Sequence, residues 1–180
     1  MTYLLLHLFF LPLLFQPLFS ASATGSSHKT LHRSFKFDHI GLSVANITTQ
    51  MQFYSNIMGF HHVVDNFIIQ APETVHVVKL QNKEGVMIEL INNMVSRRVE
   101  NITNPIDGSR YQGYFHWALR VANVEESFTY LTKAGTGARG VVSPSPIVSG
   151  GGRYAYVADP EGNLIELIEL GGSDRRFAEL

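Results

Sequence analysis

Asp159-Pro160-Glu161-Gly162-Asn163-Leu164-Ile165-Glu166-Leu167 reads as a tight turn feeding a short strand. Pro160 and Gly162 punctuate the turn, and Asn163 suits its exit. Leu164 to Ile168 is an apolar run with one carboxylate inside it. Strands alternate their faces, so Glu166 shares a side with Leu164 and Ile168, while Ile165 and Leu167 take the other. A carboxylate inside such a run is costly to bury unless a cation meets it.

The pattern has an earlier copy. Val86-Met87-Ile88-Glu89-Leu90-Ile91 is again an apolar run with a central glutamate, and Glu166 stands 77 positions after Glu89. Phe37-Asp38-His39-Ile40-Gly41-Leu42-Ser43-Val44-Ala45-Asn46 lines up with Tyr114-Phe115-His116-Trp117-Ala118-Leu119-Arg120-Val121-Ala122-Asn123, which places His116 77 positions after His39. One offset relating two histidine strands to two glutamate strands predicts an internal duplication.

Each copy reads as strand, helix, three strands. In the first, Phe37 to Val44 is a strand. A helix capped at Asn46 carries Met51, Phe53, Tyr54, Ile57 and Met58 on its apolar face and stops at Gly59. Phe60 to Val64, Val75 to Leu80 and Val86 to Ile91 follow as strands. Residues 92–113 form a polar linker with a short helix near Val95 to Val99. In the second copy Tyr114 to Val121 is a strand and Val124 to Ala134 a helix stopped by Gly135. A short strand begins at Val141, Ser143 to Arg153 is a loop, and Tyr154 to Ala158 and Leu164 to Ile168 close the fold. The expected class is α+β: two βαβββ modules, 35–94 and 112–170, forming a curved mixed sheet around a cleft, with a polar tail over 171–180.

Composition narrows the chemistry. The chain has 180 residues, a formal net charge of −1 and no cysteine. A single domain with a sizeable core is expected. Near-neutral charge gives no electrostatic case for nucleic acid, and the missing thiols exclude disulfides, thiolate metal sites and cysteine nucleophiles. Met1 to Phe19 is apolar, and small residues at Ala21 and Ala23 make an A-x-A cleavage pattern, so residues 1–23 read as a signal peptide for export rather than a membrane anchor, for which the run is short and broken by Pro12 and Pro17, and 24–34 as a lead-in. Asn46-Ile47-Thr48 and Asn101-Ile102-Thr103 match the acceptor pattern for N-glycans.

Two histidines and two glutamates at equivalent strand positions suit one divalent metal. Imidazole and carboxylate without sulfur favour Mn, Fe, Co, Ni or Zn. The candidate ligands are His39, Glu89, His116 and Glu166, one His and one Glu from each module. His61, His62 and His76 show no such pairing.

The His39-Ile40-Gly41-Leu42-Ser43-Val44 start, the Phe53-Tyr54 helix ending in Met58-Gly59-Phe60, and the closing stretch from Asp159 to Leu167 resemble the vicinal-oxygen-chelate superfamily over about residues 35–170. Within it, the four-ligand pattern is similar to glyoxalase I, the lactoylglutathione lyase. That resemblance implies a bound divalent metal, a small-molecule substrate, Glu166 as the base that moves a proton between adjacent carbons, and modules that can be exchanged in a homodimer. It implies substrate contact at Asn93. Ser43 stands where bacterial relatives carry an arginine, so Arg97, Arg98, Arg120 or Arg153 would serve as the anion clamp and a glutathione-derived substrate is not implied by this position. The superfamily also contains an epimerase that typically has Gln where Glu89 stands, extradiol ring-cleaving dioxygenases, and non-catalytic ligand-binding modules.

Overall fold

The computed structural model describes residues 36–70, 72–98, 102–148 and 151–171. The expected signal peptide, the lead-in, residues 172–180 and the sequon residue Asn101 lie outside the described residues.

The first module comprises β1 (His39–Ser43), α1 (Ile47–Gln52) continuing as a π-helical turn (Phe53–Ile57), β2 (His62–Ile69), β3 (Val75–Gln81) and β4 (Met87–Asn92). A short α2 (Pro105–Gly108) lies in the linker. The second module comprises β5 (His116–Arg120), α3 (Val124–Leu131), β6 (Arg139–Pro146), β7 (Gly152–Ala158) and β8 (Leu164–Leu170). Every element of the second module starts 77 residues after its counterpart, as His62 and Arg139 or Val75 and Gly152 show. The strands form two four-stranded sheets, ordered β1-β4-β3-β2 and β5-β8-β7-β6. In each, the first and last strands of the module pair in parallel at the edge and centre, with Gly41 opposite Glu89 and Ala118 opposite Glu166.

Local chemistry explains the repeat. Asn46 and Asn123 cap α1 and α3, their side-chain oxygens accepting from Thr49 N and Glu126 N, both at 3.0 Å. The strands then sort their faces by alternation. Ile88 and Leu90 of β4, and Ile165 and Leu167 of β8, join Tyr54, Phe60, Trp117, Val124 and Leu131 in one buried cluster drawn from both modules. Glu89 and Glu166 therefore stand on the faces turned away from that core.

The structure departs from the sequence reading in the connections. Residues 95–98 are not helical, and the linker helix lies at Pro105–Gly108 instead, where Asn104 caps it and Pro105 occupies its first turn. β6 runs through Ser143 to Pro146, where the sequence suggests a loop. It is an edge strand with register shifts after Gly140 and Val142, a setting that tolerates proline because no ladder donor is lost. α3 ends at Leu131, before Gly135. β2 extends to Ile69, and all eight of its residues are exposed.

The turn at Asp159 locks the modules together. Asp159 is buried and accepts from Glu161 N, Asn163 N and Asn163 Nδ2 at 3.0, 2.8 and 2.8 Å. Tyr54 of the first module donates its hydroxyl to Asp159 Oδ2 at 2.9 Å. Glu161 crosses to accept from Ala45 N and Asn46 N at 2.9 and 2.7 Å, ahead of α1. In the first module's matching turn, the Asn82 side chain accepts from Glu84 N and Val86 N of its own loop. Burial, then the Asp159 charge, push the Tyr54 phenol well above the usual tyrosine range. A raised folded-state value means that the bond's contribution is intact below the unfolded value of about 10 and is lost as pH rises from there through the folded value. Tyr54→Phe should therefore cost about 2 kcal/mol at neutral pH, seen as a lower urea midpoint, with the gap between wild type and variant closing above about pH 10.

Candidate metal centre

Each module brings its own histidine and glutamate together. His39 Nε2 lies 3.2 Å from Glu89 Oε2, and His116 Nε2 lies 3.3 Å from Glu166 Oε2. The parallel pairing of β1 with β4, and of β5 with β8, makes this happen. Two residues up from each histidine, the ladder partner is the glutamate, so the two side chains share a face and lean toward each other. The glutamates are half-buried, with side chains 17% and 19% exposed.

These spacings fit a metal. Two ligand atoms about 2.1 Å from one ion are about 3.0 Å apart at an octahedral right angle and about 3.4 Å apart at a tetrahedral one. Both pairs fall between those limits. His39 is also oriented to ligate. Its Nδ1 sits 2.6 Å from Asp38 Oδ1, leaving Nε2 to face Glu89. A carboxylate behind a ligating imidazole fixes its tautomer and strengthens it as a donor. The hydrogen bond to His39 holds the Asp38 carboxyl below its usual value. His116 is held differently. Its ring packs edge-on between Phe115 and Tyr156, at centroid distances of 4.5 and 5.4 Å, and its buried Nδ1 has no hydrogen-bond partner among the described residues.

The two pairs do not close on a common point within one chain. His39 and His116 both line a cleft of about 610 Å³ with Phe37, Tyr114, Trp117 and Leu164. Yet among the described residues no three side chains of ligand type come close enough to hold an ion. Each pair has the spacing of two ligands on one ion.

The glutamates have different neighbours across the sheet. Lys79 is the ladder partner of Glu89, and its Nζ lies 3.3 Å from Glu89 Oε1. Tyr156 is the ladder partner of Glu166. Burial, then the Glu166 carboxylate, push the Tyr156 phenol far above its ordinary value, so it stays protonated toward that carboxylate. Asp38, Lys79 and Tyr156 flank the two candidate pairs, and the sequence pattern alone does not single them out. Lys79 and Tyr156 also stand 77 apart, so the repeat relates their positions.

The expected substrate residues are scattered. Asn93 lies just past β4, its side-chain oxygen accepting from Val95 N at 3.2 Å. Arg120 is exposed and, by alternation, shares the His116 side of β5. Arg153 is placed elsewhere. It pairs with Glu125 of α3 at 2.5 Å and donates to Pro144 O at 3.3 Å. By alternation it lies on the opposite face of β7 from Tyr156, so the structure does not bring it to the His116–Glu166 pair.

Comparison with known proteins gives concordant results. The profile of the Glyoxalase/Bleomycin resistance protein/Dioxygenase superfamily matches residues 36–167. A probable lactoylglutathione lyase from Vibrio cholerae serotype O1 is 26% identical over 147 residues, covering 80% of this chain and 92% of that protein. Among solved structures, a glyoxalase family protein from Bacillus cereus superposes with a TM-score of 0.63 at 19% identity, covering 79% of this chain and 99% of the other. Glyoxalase I from Zea mays does so with a TM-score of 0.56 at 18% identity, covering 74% and 44%. At these identities the superpositions speak for the fold.

Proposed function

This chain belongs to the Glyoxalase/Bleomycin resistance protein/Dioxygenase superfamily, and on that premise we propose that it is a metal-dependent enzyme of the glyoxalase I type, transferring a proton between adjacent carbons beside a carbonyl. The observation that carries the reading is the pair of matched His–Glu contacts at 3.2 and 3.3 Å, each at the spacing of two ligands on one ion. His39, Glu89, His116 and Glu166 would hold the ion. When bound, a divalent ion polarises a substrate carbonyl and stabilises the negative charge that grows on its oxygen.

The chain's own residues do the rest. Glu166 accepts the proton from the carbon next to the carbonyl and returns it to the neighbouring carbon. Tyr156 donates toward Glu166 and keeps its carboxylate oriented. Phe115 and Tyr156 hold the His116 ring. Phe37, Tyr114 and Trp117 give the cleft an apolar wall that suits a small organic substrate.

A second copy of the chain completes the site in this proposal, His39 and Glu89 of one copy meeting His116 and Glu166 of the other. Two observations support it. Among the described residues of one chain, no three ligand-type side chains group closely enough to hold an ion. The edge strand β2 exposes Val63, Val64, Phe67, Ile68 and Ile69, an apolar set that a partner would cover.

The test is metal analysis of purified protein followed by an isomerisation assay with a hemithioacetal. The expected result is one ion per His–Glu–His–Glu set and turnover that a chelator abolishes and metal restores. Metal-loaded protein that consumes oxygen with a catechol and leaves the hemithioacetal untouched would move the reading to a ring-cleaving dioxygenase.

A further inference from the structure

The two half-sites follow one plan, and one of their differences lies directly across the ladder from the glutamates. Directly across the ladder from Glu89 stands Lys79; directly across from Glu166 stands Tyr156. The Lys79 ammonium takes Glu89 Oε1 at 3.3 Å, while Oε2 of the same carboxylate faces His39 at 3.2 Å. Lys79 and Glu89 have side chains only 26% and 17% exposed, so solvent screens this pair less than a surface pair. Tyr156 brings a neutral phenol to the same position, its ring 5.4 Å from that of His116.

From this asymmetry we propose that Lys79 is a resident cation of the site that competes with the divalent ion for Glu89. The inference rests on the metal centre described above. An ion held by His39 and Glu89 would sit beside a positive charge already bonded to the same carboxylate. Opposite charges so close attract and like charges repel strongly in a half-buried setting. The ion must displace the ammonium or share the carboxylate with it. Lys79 would therefore lower the affinity of the His39–Glu89 half for a divalent ion, and it is the partner of Glu89 when no ion is bound. Glu166 has no lysine in the equivalent ladder position.

Binding of zinc alone, and of nickel alone, to the full chain tests this by competition against a chromophoric chelator. Lys79→Met should bind zinc about tenfold more tightly than wild type, because a nearby like charge is gone. Lys79→Arg keeps the charge and should stay within about threefold of wild type. Tyr156→Phe changes no charge and should also stay within about threefold. Lys79→Gln is a second neutral variant should the methionine destabilise the fold. Neutral variants that bind no tighter than wild type overturn the proposal, as does an arginine variant that tightens as much as the methionine one. Failure of every variant to bind metal overturns it together with the metal centre. Wild type that binds zinc but leaves the hemithioacetal unchanged defeats the proposed reaction alone, and the zinc-affinity ratios still decide the role of Lys79.

Discussion

Glu166→Gln should retain metal and lose turnover by about a hundredfold or more, the usual range for removing a general base. The amide keeps the size of the side chain and one oxygen for the ion, and it still meets Tyr156 across the ladder. It cannot take up a proton from carbon. Glu89→Gln should act in the opposite sense, weakening metal binding more than the chemical step, because it removes a carboxylate that would hold the ion and leaves the proposed base in place. The informative quantity is turnover per bound metal. If Glu166→Gln matches wild type on that measure, Glu166 is a ligand only, and the assignment of the base fails.

His39→Ala and His116→Ala should each lose the metal and with it all measurable turnover. Each removes the imidazole of one half-site and leaves its glutamate, Glu89 or Glu166, without the neighbour now 3.2 or 3.3 Å away. The two variants also distinguish where the site is built. In a dimer whose sites form between chains, an unfolded and refolded equal mixture contains about half mixed dimers, each with one site intact and one site missing both histidines. About a quarter of wild-type activity should then return. A site built within one chain would return none, because every chain lacks a ligand. Activity per ion in the mixture and the dimeric mass by sedimentation are the two measurements.

How far the sequence reaches can be followed residue by residue. The offset of 77 identifies His39, His116, Glu89 and Glu166, and the structure pairs them as strand neighbours through the ladders of β1 with β4 and β5 with β8. The first helix cap is legible at Asn46 from its side chain and position, and the structure uses both Asn46 and Asn123. The same role ties up the Asn46 oxygen of the first sequon. β6 is hidden because Ser143 to Pro146 has loop composition, and only its position at a sheet edge makes prolines acceptable there. Arg153 reads as a free cation beside a strand. Its commitment to Glu125 depends on α3 packing over β7, which no local pattern records.

The sequence by itself determined the repeat, the succession of elements within each module and the four ligand-type residues. These follow from periodicities of two and 3.6 residues and from a copied spacing, all of which are written along the chain. Tertiary structure alone decided three other things. It set Tyr54 and Glu161 against the far module at separations above a hundred residues, making the Asp159 turn a clasp. It placed a charged Lys79 beside one glutamate and a neutral Tyr156 beside the other, which makes chemically similar carboxylates unequal. It left no three ligand-type side chains grouped closely enough to hold one ion among the described residues. The reason is common to all three. Alternation fixes which face a side chain takes, but how two sheets dock through a shared core fixes what stands opposite it, and that depends on the packing of Tyr54, Phe60 and Trp117 between modules rather than on any neighbour in sequence.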